Sequence, residues 1–272
     1  MPETAVNGVE THYEVSGEGT PALFVRGDVL DAAPLDRVQV ITYDRRCAGA
    51  SEYSIDTAYD LEDIAADGQA LLTHLGIERA IIIGSSMGGM VAQQFALSFP
   101  GTVSALALLN TGPRLMFETP WGKNSSALVD RVESEGAEAV FEGERAALRE
   151  PPEPPQPANP SPLAEQAAAG RKLYIEAVKG VSDEDLFRYW RGTVRNYAAF
   201  DFTSRLPEIA AIDAPKVIVH GDADSVVPFT DAEALRDGIG EIEFHAISDA
   251  DHGITAYPAA QGVIRDWLTR VA

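Results

Sequence analysis

The chain has 272 residues, enough for one large α/β domain carrying an insertion and too many to depend on disulfide or metal staples. Hydrophobic residues make up 45% and charged residues 23%, which excludes a disordered or collagen-like chain. Asp and Glu number 42 against 21 Lys and Arg, a net charge of −21 at pH 7, so nucleic acid and anionic membrane surfaces are not expected partners.

Within the first 25 residues, Val9 to Val15 alternates up to a Gly17-Glu18-Gly19 break, and the apolar run Ala22-Leu23-Phe24-Val25 ends at Arg26-Gly27; the stretch predicts three strands. Val38 to Tyr43 predicts another, stopped by the loop Asp44-Arg45-Arg46. Apolar residues then recur at Leu61, Ile64, Ala65, Leu71, Leu72 and Leu75 before Gly76, the spacing and stop signal of a helix over 57–75. Ala80 to Ile83 predicts a buried strand reaching Gly84, Met87 to Phe99 a helix ended by Pro100, and Val103 to Leu109 a strand. Strands apolar throughout suit a parallel sheet covered on both faces.

That pattern stops at Thr111-Gly112-Pro113 and resumes at Pro215. Residues 113–205 are mostly helix-like and aromatic-bearing, with a proline-rich loop at 151–162 that fits neither a helix interior nor a central strand. Lys216 to His220 then predicts a strand, Pro228 to Asp237 a helix, Ile242 to Ile247 a strand, and Tyr257 to Arg270 a last helix after a loop holding His252. The expected organisation is a core of 1–112 and 206–272 with an insertion at 113–205. The single cysteine, Cys47, excludes an internal disulfide and a cysteine-based metal site. The start, Met1-Pro2-Glu3-Thr4, has no basic segment leading into an apolar one, so a cytoplasmic protein is expected.

Gly84-Ser85-Ser86-Met87-Gly88 lies between an apolar strand and a helix, the context in which Gly-x-Ser-x-Gly forms a turn so tight that glycines must flank the serine. Ser86 is therefore the candidate nucleophile; Ser85 fails the spacing because Ile83 stands two residues before it. A serine hydroxyl needs a base and a group that orients the base. Aspartates follow the strand ending at His220, in Gly221-Asp222-Ala223-Asp224, and a histidine follows the final strand, in Asp249-Ala250-Asp251-His252-Gly253. Both loops sit at strand carboxyl ends, sharing one sheet edge with Ser86. His12, His74 and His245 read as structural, and His220 as support for the acid turn. No metal or phosphate site is evident.

With the Asn7-Gly8 hairpin and Tyr43-Asp44-Arg45-Arg46 in the same order, the chain resembles the α/β-hydrolase family, in particular its capped esterase, carbon–carbon hydrolase and cofactor-free perhydrolase branch. The resemblance implies a mostly parallel eight-stranded sheet flanked by helices, with a helical cap after the sixth strand. It implies Ser86 as nucleophile, His252 as base and Asp224 as acid, Asn110 occupying the family's other acid position without being an acid. The backbone amides of Met87 and Asp28 would form the oxyanion hole, although Arg26-Gly27 stands where relatives have His-Gly, and the Asp28 carboxylate disfavours a nearby oxyanion. Residues 28–39 are shorter than relatives show, so part of one sheet face is expected to be bare and covered by the cap or by a second copy of the chain in a homodimer. Cys47 replaces the family's glycine and reads as a small buried thiol. Met116, Phe117, Trp121, Tyr189, Trp190 and Phe200 form the insertion's own small core, or a few of them, with Arg26 beside them, line an apolar substrate pocket. The implied activity is serine hydrolysis of small to medium esters or lactones with an apolar portion and no cofactor. Carbon–carbon bond hydrolysis and perhydrolysis use the same three side chains, and Arg26-Gly27-Asp28 also suits a non-catalytic ligand-binding homologue.

Overall fold

The computed structural model describes residues 3–25, 37–53, 59–115, 118–151, 171–172, 174–176 and 178–272. Strands β1 (Glu3–Val6) and β2 (Val9–Ser16) form an antiparallel hairpin. Its turn residues Asn7 and Gly8 have φ of 50° and 78°, the two positive values that a type I′ turn demands. β3 (Thr20–Val25), β4 (Val38–Tyr43), β5 (Ala80–Ser85), β6 (Val103–Leu109), β7 (Lys216–Gly221) and β8 (Glu243–Ile247) complete the sheet. The eight strands run in the order β1-β2-β4-β3-β5-β6-β7-β8, antiparallel in the first two pairings and parallel from β4 onward. The parallel strands deliver their carboxyl ends to one rim, where the loops that follow them can converge.

Side chains alternate between the two faces as the strand period requires. Leu23, Val25, Ile41, Ile82, Leu106, Leu108 and Ile218 share one core with α1 (Leu61–His74), α2 (Met87–Ser98) and α7 (Phe229–Ile239). Ala22, Phe24, Ile81, Ile83, Ala107, Leu109 and Val219 share the other with α8 (Pro258–Val271) through Ile264, Trp267 and Leu268. α1 starts where Asp60 accepts the Glu62 N–H at 2.9 Å while Asp63 takes the Asp60 N–H at 3.0 Å, a reciprocal cap. The expected bare face is not seen among the described residues: Phe24 is 5% and Val38 1% exposed, and Val15, at 41%, is the one large hydrophobic residue that stands out. Trp267 and its neighbours on α8 supply the cover. Residues 28–36, where the shortening falls, lie outside the described residues.

Between β6 and β7 the chain forms α3 (Pro120–Glu135), α4 (Ala137–Arg149), α5 (Asp183–Ala199) and the short α6 (Leu206–Ala210). Thr119 and Ser182 cap α3 and α5 by accepting the N–H of Gly122 and Asp185 at 3.1 and 3.0 Å. Val140, Phe141, Val178, Leu186, Trp190 and Val194 make a small core separate from the two sheet cores. Residues 152–162 of the proline-rich loop lie outside the described residues. No helix among the described residues is long and apolar enough to cross a membrane.

Candidate active site

Ser86 joins β5 to α2 with φ 53° and ψ −119°, a conformation that costs on the order of 1–3 kcal/mol for a non-glycine residue and persists only where its surroundings impose it. They do so here by close approach: a Cβ on Gly84 would collide with the Gly88 carbonyl as the helix doubles back over the strand. The Ser86 N–H donates to the Leu109 carbonyl at 2.9 Å, tying the turn to β6. Ser85 is buried, and its hydroxyl has no hydrogen-bond partner among the described residues.

His252 Nε2 lies 2.9 Å from Ser86 Oγ, across 166 residues of sequence. Its Nδ1 lies 2.9 Å from Asp224 Oδ2 and 3.2 Å from Oδ1. A carboxylate only accepts, so Nδ1 carries the proton and Nε2 is left to accept from the serine hydroxyl. The Asp224 side chain is fully buried; its Oδ1 also accepts the N–H groups of Val226 and Val227, each at 2.8 Å. A buried carboxylate held by three N–H groups stays in one orientation and holds the imidazole in one tautomer.

Around these three side chains lies a supporting layer. Asp251 Oδ1 accepts from the Ser225 N–H and O–H at 2.8 Å and from the His252 N–H at 2.7 Å, stitching the acid loop to the histidine loop. Tyr257 accepts the Asp251 N–H at 3.1 Å. Asn110, buried at the end of β6, turns its amide oxygen to the N–H groups of Gly253 and Ile254 at 3.0 and 3.2 Å. His220 is fully buried, and burial holds its imidazole below the usual range, hence neutral. Its Nε2–H donates to the Val227 carbonyl at 3.0 Å and stands 3.5 Å from Asp224 Oδ2, which is the support for the acid turn that its position suggested. Asp251 went unassigned in the sequence; an aspartate immediately before the loop histidine was its only sign. His12 is buried in β2 and His245 pairs with Glu243 at 2.6 Å.

The other expected site residues are placed less centrally. Met87 opens α2, so its amide has no carbonyl one turn earlier within the helix and is left for an external acceptor. Asp28, Arg26, Met116 and Phe117 lie outside the described residues, as does the side chain of Trp121. Trp190 is almost fully enclosed. It is 3% exposed, with its ring 5.5 Å from Phe141 and 6.0 Å from Phe187, in the insertion's own core. Leu186, Trp190 and Val194 stand four residues apart on one face of α5, and a helix must bury that stripe. Phe200 is likewise buried, against Phe202. Cys47 is fully buried, with φ 55° in the turn after β4, and burial pushes its thiol up to about 12. It is the inert structural thiol expected at a position where a left-handed backbone favours glycine.

Beneath the site Arg46 and Asp67 form a bidentate pair at 2.7 and 2.5 Å, both side chains at most 5% exposed, with Asn7 donating to Asp67 at 3.1 Å. Burial works against the Arg46 charge, but the Asp67 carboxylate outweighs it and leaves the guanidinium above its ordinary range. This pair also went unassigned, although Asp67 falls on the apolar stripe of α1 between Ile64 and Leu71.

A non-heme haloperoxidase of Rhodococcus erythropolis is 30% identical over 248 residues, covering 84% of both chains. Among solved structures, a thermophilic esterase from Thermogutta terrifontis is 25% identical with a TM-score of 0.69, covering 99% of this chain and 98% of that one. An enol-lactonase from Burkholderia xenovorans LB400 shares the fold at 21% identity and a TM-score of 0.69, covering 99% of each chain. Residues 17–255 match the family described as alpha/beta hydrolase fold. With the eight-stranded sheet and the strand-to-helix elbow already in place, the chain belongs to the α/β-hydrolase fold family.

Proposed function

We propose that the protein is a serine hydrolase of small to medium esters or lactones, working through an acyl-enzyme on Ser86, His252 and Asp224. The reading is carried by one observation: a serine hydroxyl on a strained elbow lies 2.9 Å from an imidazole whose other nitrogen is anchored by a buried carboxylate. His252 Nε2 takes the Ser86 proton as Oγ bonds to the carbonyl carbon, and the carbonyl electron pair moves to oxygen. The Met87 amide holds that oxyanion, with the Asp28 amide as the second donor. Asp224 steadies the imidazolium, which then protonates the departing alkoxide. Water, deprotonated by the same imidazole, attacks the acyl carbon; the bond from that carbon to Oγ then breaks, the imidazolium returns its proton to Oγ, and the acid leaves. The helices at 113–205 serve as the cap over this rim.

Ser86→Ala abolishes turnover of p-nitrophenyl butyrate and labelling by a fluorophosphonate, a loss on the order of 10⁶ in kcat where the triad acts as a unit. Equal rates in the wild type and the variant would remove the reading, and a protein that takes no Ser86-dependent label would be a ligand-binding homologue. The likeness to a haloperoxidase supports a second use of the same acyl-enzyme, perhydrolysis, in which hydrogen peroxide replaces water and leaves with the acyl group as a peracid. Peracid formation from acetate and peroxide, lost in Ser86→Ala, tests it.

A further inference from the structure

Two adjacent arginines follow β4, and they are treated in opposite ways. Arg46 is buried in its bidentate pair with Asp67. Arg45 is half-buried, and among the described residues its guanidinium meets no carboxylate; Nη1 rests 2.7 Å from Met87 Sδ, a weak acceptor. In a chain with twice as many acidic as basic residues, Arg131, Arg145, Arg149, Arg188, Arg205, Arg236 and Arg270 all find acidic partners, while Arg79 and Arg171 meet carbonyls and Arg191 an aromatic ring. A partly desolvated guanidinium without a counter-charge is costly, and this one touches the residue directly after the nucleophile.

Tyr53 lies close enough to Arg45 to feel its charge, as it feels the Asp44 carboxylate and Tyr189, and Tyr174 in turn lies near Tyr189 and Tyr53. Tyr53 and Tyr189 pack with Met87 against the same core, and the Tyr189 ring lies 6.3 Å from that of Tyr174. The Tyr59 hydroxyl donates to the Tyr189 carbonyl at 3.3 Å, fastening α5 to the sheet side. A Cβ on Gly192, one turn further along α5, would strike the Tyr59 ring, so the two layers meet in close contact. The hydroxyls of Tyr53, Tyr174 and Tyr189 have no hydrogen-bond partner among the described residues, and all three side chains are half-buried. Burial pushes the Tyr53 phenol up to about 12, with Arg45 acting in the other direction, so its proton stays available for donation.

We propose that Arg45, with the phenol hydroxyls of Tyr53, Tyr174 and Tyr189, forms a carboxylate-binding subsite beside the elbow, and that the preferred substrate is an ester or lactone whose acyl part carries a carboxylate. The subsite rests on the hydrolase reading for its role in turnover, and it narrows the apolar portion expected from the sequence. A guanidinium offers a planar fork to a carboxylate, and charge-assisted bonds of this kind are the strong ones.

The test compares mono-p-nitrophenyl glutarate, which carries the carboxylate, with p-nitrophenyl butyrate, which does not. The wild type shows the higher kcat/KM for the glutarate ester, through a lower KM that rises with added salt. Arg45→Met lowers the ratio of the two kcat/KM values about tenfold, and Arg45→Lys recovers part of it. An unchanged ratio, or no wild-type preference for the anionic ester, overturns the subsite. If Arg45→Met does not fold, Tyr53→Phe is read the same way, with a fall in the ratio expected and an unchanged ratio overturning the proposal. Should the wild type turn over neither ester, the hydrolase reading fails by itself. The subsite is then judged by calorimetric titration of Ser86→Ala with glutarate: a Kd weakened about tenfold by adding Arg45→Met upholds it, and no binding or equal binding overturns it.

Discussion

Strands β5, β6 and β7 are buried along nearly their whole length, and side chains such as Leu23, Ile81, Ile82, Leu106 and Ile218 have no measurable exposure. The helices between β6 and β7 bury single stripes around Phe141 and Trp190, and their outer faces are joined by ion pairs such as Arg131 to Glu144 and Arg149 to Asp183, each 2.7 Å and solvent-facing. Such exposed pairs contribute about 0–1 kcal/mol each and weaken in salt. The contrast separates two jobs. Ser86, Asp224 and His252 hang from strand ends that cannot shift without opening a sheet core. The groups that would choose a substrate lie at the seam with the insertion, which is held by Tyr59 and a few aromatic rings and can vary without disturbing the chemistry.

Mutations can break this contrast from either side. Asp67→Ala leaves the Arg46 guanidinium buried and alone, which costs about 3–5 kcal/mol; denaturant unfolding should show that loss across the whole cooperative transition, with hydrolysis and fluorophosphonate labelling lost together at moderate denaturant. Trp190→Ala removes the centre of the insertion's core at a cost of about 3 kcal/mol. Its expected signature is different: limited proteolysis cuts within 113–205 while Ser86 still takes the label in the uncut protein. Coincident loss of label and protease resistance would show that the two layers unfold as one. The smallest effect concerns acid. His220 is held below the ordinary imidazole range by burial, so as pH falls below about 6.5 the unfolded chain takes up a proton there that the folded protein refuses. The unfolded state then binds more protons, and stability falls with falling pH. His220→Gln keeps a donor toward Val227 without titrating, so its melting temperature should drop less than that of the wild type between pH 7 and pH 5; parallel curves would contradict this.

Elements whose signal is local were legible in the sequence. β5 and α2 came out within a residue or so because Ala80-Ile81-Ile82-Ile83 and Pro100 mark their limits, and Asn7-Gly8 can hardly be anything but a tight turn. Ser86 and His252 stood out because each sits where an apolar strand gives way to a loop, the family resemblance singled out Asp224 over Asp222, and the geometry brings the three side chains together. What was hidden depends on distance. Nothing near Asp67 announces Arg46, which reaches it across a 21-residue gap. Trp190 had two readings, the insertion's own core or a pocket wall, and its four-residue spacing from Leu186 and Val194 is what places it in that core. Arg45 read as part of a loop, since only the folded chain brings Met87 against it and leaves it without a carboxylate among the described residues.

Cys47 has a use beyond filling space. It is the chain's single sulfhydryl, it is buried one residue beyond Arg45 and Arg46, and its proton is held too firmly for attack while the fold is closed. A thiol reagent therefore reacts only with molecules in which the segment after β4 has come loose, and the rate of reaction clocks that opening from within the native chain, without an added label.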